Sequence, residues 1–218
     1  RKVGDERRVR MLAGNLALSH CRLGNLNAQL EWADRAAAIP ASYTGIFEQQ
    51  QIHFSRARAY AIQGKESDAL AALALGKTFD ARPVPEHLQQ AWHLRTADVL
   101  SLLGRHSKAL RAAVPGVTGA MSRLSSDAFA GPYARWSARM AVANLAELDA
   151  TRRKIAELLE REQRLDHIDR VEVLNSKVWL DSRTGRINSE ERSRMWALVG
   201  TLPAGATHEL KSLGMLDL

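Results

Sequence analysis

Glycines at positions 24, 64 and 104 are separated by the same interval of 40 residues, and each ends one apolar helical segment and precedes another. A helix-turn-helix unit copied at a fixed interval cannot bury its apolar face alone, so successive copies stack on one another. The spacing therefore predicts an all-α protein, a curved α-solenoid built from helical hairpins.

The repeat divides residues 1–218 into about five hairpins and a C-terminal capping segment, which together form a single domain. We expect the hairpins over about residues 9–40, 47–80, 86–115, 132–166 and 168–202, and the capping segment over 203–218. Regularity weakens between Pro115 and Pro132, where glycines and serines predict a longer connection with one short helix around 120–128.

Local patterns within these units predict individual helix faces and ends. Leu12, Leu16 and Leu23, with Ala13 and Ala17 between them, mark the apolar face of the first helix. Gly185 is predicted to turn the fifth hairpin, 81 residues beyond Gly104 and close to two further periods. Asn188 then precedes a helix in the arrangement by which a short polar side chain accepts bonds from free backbone N–H groups.

The sequence also limits the membrane partners and the cellular compartment that we expect for this chain. No apolar run approaches the ~18 residues that a membrane-spanning helix needs, so no membrane partner is expected. The single cysteine, Cys21, excludes an intrachain disulfide framework and favours a cytoplasmic location. Because the sequence begins with Arg1 and not with methionine, we interpret it as a fragment of a larger protein with an upstream effector domain.

The net charge of +7 comes almost wholly from arginine, with 24 Arg against 7 Lys. A positive charge attracts acidic partners, whether carboxylates, phosphates or nucleic acid. The basic residues are spread along the chain, whereas nucleic-acid-binding proteins usually carry a basic stripe or a recognisable motif. Nucleic acid is therefore a less favoured partner than an acidic protein segment.

Motifs for catalysis and cofactors are incomplete. Gly76, Lys77 and Thr78 resemble the end of a phosphate-binding loop, but position 71 is alanine where that loop needs glycine. His87 and His93 are six residues apart, which is not the spacing of a helical zinc pair. We therefore predict no enzyme activity, no metal and no cofactor, and we assign most of the five tryptophans to packing between helices.

The second hairpin resembles the tetratricopeptide repeat (TPR) family. Its small, aromatic and turn-glycine positions match in order, at Ala57, Tyr60, Gly64, Ala69, Leu73 and Gly76. The first hairpin offers Leu16, Ala17, His20, Gly24, Leu26 and Ala36 at such positions, and the third offers Ala97, Leu100, Gly104 and Ala109. The interval of 40 exceeds the family's usual period of about 34 residues, and it looks more like the long-period TPR-like domains of bacterial signal-sensing regulators.

The resemblance implies a right-handed α-solenoid in which the first helix of each hairpin lines a concave binding groove. The corresponding positions in this sequence are Asn15, Arg22, Gln51, Arg58, Arg95, Asp98 and Arg135. Arginine suits carboxylate or phosphate groups because its planar guanidinium donates two parallel hydrogen bonds. The alternative is that Arg58 and Asp98, which occupy equivalent positions in adjacent units, only pair with each other. Gly14 and Leu18 stand where chaperone-binding TPR domains have a basic residue and an asparagine, so chaperone tails are not expected.

The sequence thus favours a non-catalytic domain that binds a protein segment or peptide, as a sensor or scaffold of a larger regulatory protein. Two other function classes stay open. The charge of +7 allows a nucleic-acid-binding solenoid, and the apolar segment 210–218 allows a structural oligomerisation module.

Overall fold

A computed structural model describes residues 3–40, 45–77, 84–120, 129–186, 188–212 and 214–217. Within these ranges the chain is all helical, without a β-strand. The helices are α1 (Val3–Leu23), α2 (Leu26–Ala37), α3 (Ile46–Ile62), α4 (Glu66–Lys77), α5 (Glu86–Leu102), α6 (His106–Ala120), α7 (Ala130–Ala143), α8 (Leu148–Glu160), α9 (His167–Arg183), α10 (Ser189–Val199) and α11 (Ala204–Ser212).

The helices pack largely as sequential pairs. α1 pairs with α2, α3 with α4 and α5 with α6, which confirms the predicted hairpins in this part of the chain. The first helices of neighbouring pairs also touch, in the order α1, α3, α5, α7 and α9. These five helices therefore form one continuous row, and side chains on that row can act together.

The turns within the hairpins share one geometry. The four turn glycines have positive φ angles, at Gly24 (76°), Gly64 (72°), Gly104 (72°) and Gly185 (73°). In each turn the N–H after the glycine donates to the carbonyl five residues earlier, for example Lys65 to Tyr60 at 2.9 Å and Arg186 to Asp181 at 2.8 Å. This is the Schellman arrangement that ends helices at glycine. The turn positions predicted from the 40-residue spacing are confirmed.

Small residues bring the helices close together. Ala57, Ala69 and Ala97 are fully buried, and Gly76 packs directly against the indole of Trp92. A Cβ at Gly76 would lie 2.2 Å from a Trp92 ring carbon, so only glycine fits there. Trp92, Trp136 and Trp179 lie in the core, as expected for packing residues, whereas Trp196 is 41% exposed.

The predicted apolar face of α1 is confirmed for its alanines and wrong for its leucines. Ala13 and Ala17 are buried, whereas Leu12, Leu16 and Leu23 are exposed. α1 is the first helix of the row and packs against α2, α3 and α11. The small residues take the side toward α2 and α3 because they let these helices approach closely, which leaves the leucines facing outward.

The predicted end of the sixth helix at Pro115 is also wrong. α6 continues through Pro115 to Ala120, although proline removes one helical hydrogen bond. The next residue, Gly116, lies so close to α5 that a Cβ there would approach Leu94 to 2.8 Å. Packing on α5 thus holds the helix together past the proline. The short helix expected around 120–128 lies outside the described residues, apart from the end of α6.

The C-terminal segment returns to the N-terminal hairpin. Gly205 of α11 packs on the end of α1, where a Cβ would lie 2.2 Å from the Cys21 carbonyl oxygen. Arg58 of α3 donates to the Gly205 carbonyl at 3.4 Å. On its other side the segment is held by α9, since Asn175 donates to the Met215 carbonyl at 3.0 Å. The two ends of the helical row are therefore joined through α11.

No helix in the described ranges is both long and apolar enough to cross a membrane.

Candidate functional site

A cavity of about 250 Å³ lies on the inner side of the row of first helices. Side chains from α1, α3, α5, α7 and α9 line it, together with Ala206 of α11. Its walls combine apolar side chains with four carboxyl groups and three arginines. The charged residues are Arg22, Arg95, Asp98, Arg135, Asp166, Asp169 and Glu172.

Five of the seven positions expected in a binding groove line this cavity, namely Arg22, Gln51, Arg95, Asp98 and Arg135. Asn15 does not line it: it is exposed on α1, seven residues before Arg22 and thus ~10 Å away along the helix. Arg58 is likewise seven residues past Gln51. It lies in a second cavity, of about 400 Å³, at the junction of α1, α3 and α11.

Arg135 of α7 is at the centre of a buried ion-pair network. Its guanidinium donates to Asp98 of α5 at 2.8 Å and to Glu172 of α9 at 3.1 Å. Trp136 Nε1 donates to the same Asp98 oxygen at 2.8 Å. Removal of Arg135 would take a cation away from two buried carboxylates. Breaking a buried ion pair in this way typically lowers the stability by about 3–5 kcal/mol. Asp98 therefore forms an ion pair with Arg135 of the following unit.

A second group of carboxylates lies where α9 begins. Asp166 caps the helix by accepting from the Asp169 N–H at 2.8 Å, and it forms an ion pair with Arg22 of α1 at 3.3 Å. The Asp169 carboxylate accepts from the Gly131 N–H at 2.9 Å. Burial raises the pKa of Asp169 to about 6, and the neighbouring Asp166 carboxylate adds to the rise. These contacts tie the start of α9 to both α1 and α7.

Arg95 of α5 has a different environment. Its guanidinium carbon lies 5.2 Å from the ring centre of Phe54, 5.3 Å from that of Phe129 and 5.7 Å from that of Phe47. All three distances are within the range of cation–π attraction. Burial lowers the pKa of Arg95 to about 10, so the guanidinium stays charged at neutral pH.

The phenylalanines were missed by the sequence analysis. Three of the chain's four phenylalanines line the cavity, although the sequence pattern did not single them out. The available signal was Phe47, Gln51 and Phe54, whose spacing of four and three places all of them on one face of α3. Asp169 and Glu172 were missed as well, because no groove positions were assigned to the fifth hairpin, although Gly185 at the end of α9 offered the same reference point as the other turn glycines.

The arrangement is suited to recognition. Among the described residues that line the cavity there is no histidine or lysine that could act as a base toward the Cys21 thiol. In the part of the chain covered by the structure, no three His, Cys, Asp or Glu side chains are grouped to hold a metal ion. The cavity offers apolar contact through its rings and directional contact through its arginines.

Comparison with known protein families, with curated proteins and with solved structures gives no match to this chain.

Proposed function

We propose that this chain is a non-catalytic TPR-like domain, a right-handed α-solenoid of about five hairpins, that binds a short protein segment or peptide in its central cavity. It would act as a sensor or scaffold in a larger regulatory protein, and the single cysteine favours the cytoplasm as its compartment. The observation that carries the proposal is that the first helices of successive hairpins meet at one cavity that combines arginines, carboxylates and phenylalanines.

The size of the cavity limits what can enter. Sites for drug-sized ligands have about 300–1,000 Å³, and this cavity has about 250 Å³. One or two side chains of a peptide fill such a space, and the remainder of the peptide would lie along its mouth. The proposed ligand is therefore a short anchor segment, and not an extended chain that runs the length of the solenoid.

The contacts around the cavity also support a sensing role. Arg22 joins α1 to Asp166 at the start of α9, and Ala206 of α11 forms part of the wall. A ligand seated there touches helices from both ends of the chain. Binding would shift the population toward the arrangement of these ends that the ligand prefers, to the extent that its affinity differs between arrangements.

A matched pair of substitutions on α1 tests the cavity as the binding site. Leu18 lines the cavity, whereas Leu12 faces outward on the same helix. Peptides selected from a random display library on the wild-type domain are expected to lose at least tenfold in affinity for Leu18→Trp, because the indole fills the cavity. Binding to Leu12→Trp is expected to stay unchanged.

Isothermal titration calorimetry on both variants, with circular dichroism to confirm folding, gives the comparison. Selected peptides that bind Leu18→Trp and Leu12→Trp as well as they bind wild type would refute the cavity as the site.

A further inference from the structure

The three arginines of the central cavity differ in what they contact. Arg135 is held by Asp98 and Glu172, and Arg22 by Asp166. Arg95 forms no ion pair in the described structure, and its buried Nη1 atom finds no hydrogen-bond acceptor among the described residues. Of the three cations, Arg95 is thus the one without an ion pair among the described residues.

The phenylalanine rings around Arg95 cannot replace an acceptor. They attract the guanidinium charge through their faces, but a ring offers no oxygen to the five N–H donors of arginine. A buried donor without an acceptor costs free energy, and more so when it carries charge. An anionic oxygen placed at Nη1 would remove that cost and form a charge-assisted bond, which is about twice as strong as a neutral one.

The carboxylates of the cavity are already engaged. Asp98 and Glu172 accept from Arg135, Asp166 pairs with Arg22, and Asp169 accepts from the backbone of Gly131. A ligand cation would have to compete with these partners, whereas a ligand anion at Arg95 displaces none of them. Asp98 lies one helical turn from Arg95 and interacts with it electrostatically, and the apolar part of the cavity wall includes Leu18, Leu94 and Ile168.

We propose that the cavity selects a single carboxylate joined to a small apolar body, with the carboxylate on Arg95 and the apolar body against Phe47, Phe54 and Phe129. This inference rests on the proposed function, because it names the chemistry that the same cavity recognises. The carboxylate can belong to a free organic acid or to a peptide, since both present the same group to the guanidinium.

Calorimetric titration with matched acids and amides tests the inference. The probes are 3-phenylpropanoate and its neutral amide, and the blocked dipeptide acetyl-Ala-Phe with a free carboxylate and with an amide end. We expect each carboxylate to bind at least tenfold more tightly than its amide. Acetate, which lacks the apolar body, is expected to bind at least tenfold more weakly than 3-phenylpropanoate. Whichever acid binds more tightly identifies the source of the carboxylate.

The variant Arg95→Met keeps an unbranched side chain among the phenylalanines but removes the charge, and we expect it to lose at least tenfold in affinity for the acids. Arg35→Met is the matched control, because Arg35 also lies over an aromatic ring, that of Trp32 at 4.6 Å, but is exposed outside the cavity. Its affinity for the acids should equal that of wild type.

Equal binding of acids and amides, or unchanged binding to Arg95→Met, would overturn the inference. If acids and amides bound wild type equally and Leu18→Trp abolished the binding of both, the cavity would remain the ligand site. Only the preference for a carboxylate would then be refuted. If no probe bound wild type at millimolar concentration, the inference would also fall, and the peptide selection on Leu18→Trp and Leu12→Trp would decide the proposed function separately.

Discussion

Asp169 shows how one side chain at the cavity opposes folding. An aspartate in an unfolded chain has a pKa of about 3.9, and burial raises the pKa of Asp169 to about 6 in the folded protein. Between these two values the folded state binds the additional proton. The free energy of unfolding therefore falls as the pH rises through this window, and above it the ionised Asp169 lowers the stability.

The substitution Asp169→Asn should stabilise the domain at neutral pH. Asparagine keeps an oxygen for the Gly131 N–H but carries no charge, so the cost of burying the carboxylate disappears. We expect the free energy of unfolding to rise by on the order of 1–3 kcal/mol at pH 7.5, and the gain to vanish near pH 4. Urea denaturation of variant and wild type at both pH values measures the difference.

Asp149→Asn is the control for this experiment, because the Asp149 side chain is 78% exposed. It should change the free energy of unfolding by much less at either pH. A gain from Asp169→Asn that is the same at pH 4 and pH 7.5 would contradict the assignment of the effect to ionisation.

The glycine turns are the element that the sequence predicted best. A repeated interval can be read without knowledge of tertiary contacts, because a helix end at glycine is set by local backbone geometry. The outward face of α1 and the continuation of α6 through Pro115 depend instead on which helix lies alongside. Periodicity alone cannot show that Ala13 and Ala17 face α2 and α3, or that Gly116 docks on α5.

Gly64→Ala tests how much one glycine turn contributes to the free energy of unfolding. No atom outside the turn lies within 4 Å of a Cβ built at Gly64, so the substitution strains only the backbone, at φ 72°. We expect the free energy of unfolding to fall by about 1–2 kcal/mol, the cost of a left-handed conformation for an L-residue. Chemical denaturation of the purified variant gives the value.

Gly200→Ala makes the same substitution at a helix end with φ −62°, where alanine fits without strain. It should leave the stability unchanged or raise it slightly, because alanine restricts the unfolded chain. Equal decreases in the free energy of unfolding for Gly64→Ala and Gly200→Ala would show that the turn does not require a positive φ angle.

At the scale of the molecule, the cavity depends on contacts between distant parts of the chain. Arg22 and Asp166 are 144 residues apart, and Arg58 and Gly205 are 147 apart. A repeat predicts contacts only between neighbouring units, so the sequence could indicate five of the groove positions but not the return of α11. The repeat does place Arg135 between two adjacent first helices, but it does not specify that Asp98 and Glu172 are the residues that meet it there.

Gly205→Ala tests the contact between α11 and α1. A Cβ at Gly205 would lie 2.2 Å from the Cys21 carbonyl oxygen and 2.5 Å from that of Arg22, and such backbone atoms cannot move aside easily. We expect a loss of about 1–3 kcal/mol in the free energy of unfolding. Amide hydrogen exchange should become faster in α11 and in the last turn of α1.

Ala204→Ser, at the exposed neighbouring position, is the control and should leave the exchange of both helices unchanged. Wild-type exchange rates in the Gly205→Ala variant would mean that the two helices do not depend on this contact.

The junction of α11 with α1 also bears on how the molecule folds. In an open helical array each unit interacts only with its neighbours, so the ends can fray independently and folding can spread from any unit. Here, contacts that span about 145 residues must form as well, and closing so long a loop costs entropy before those contacts compensate it. Such non-local contacts slow folding, and they couple the two termini into one cooperative transition.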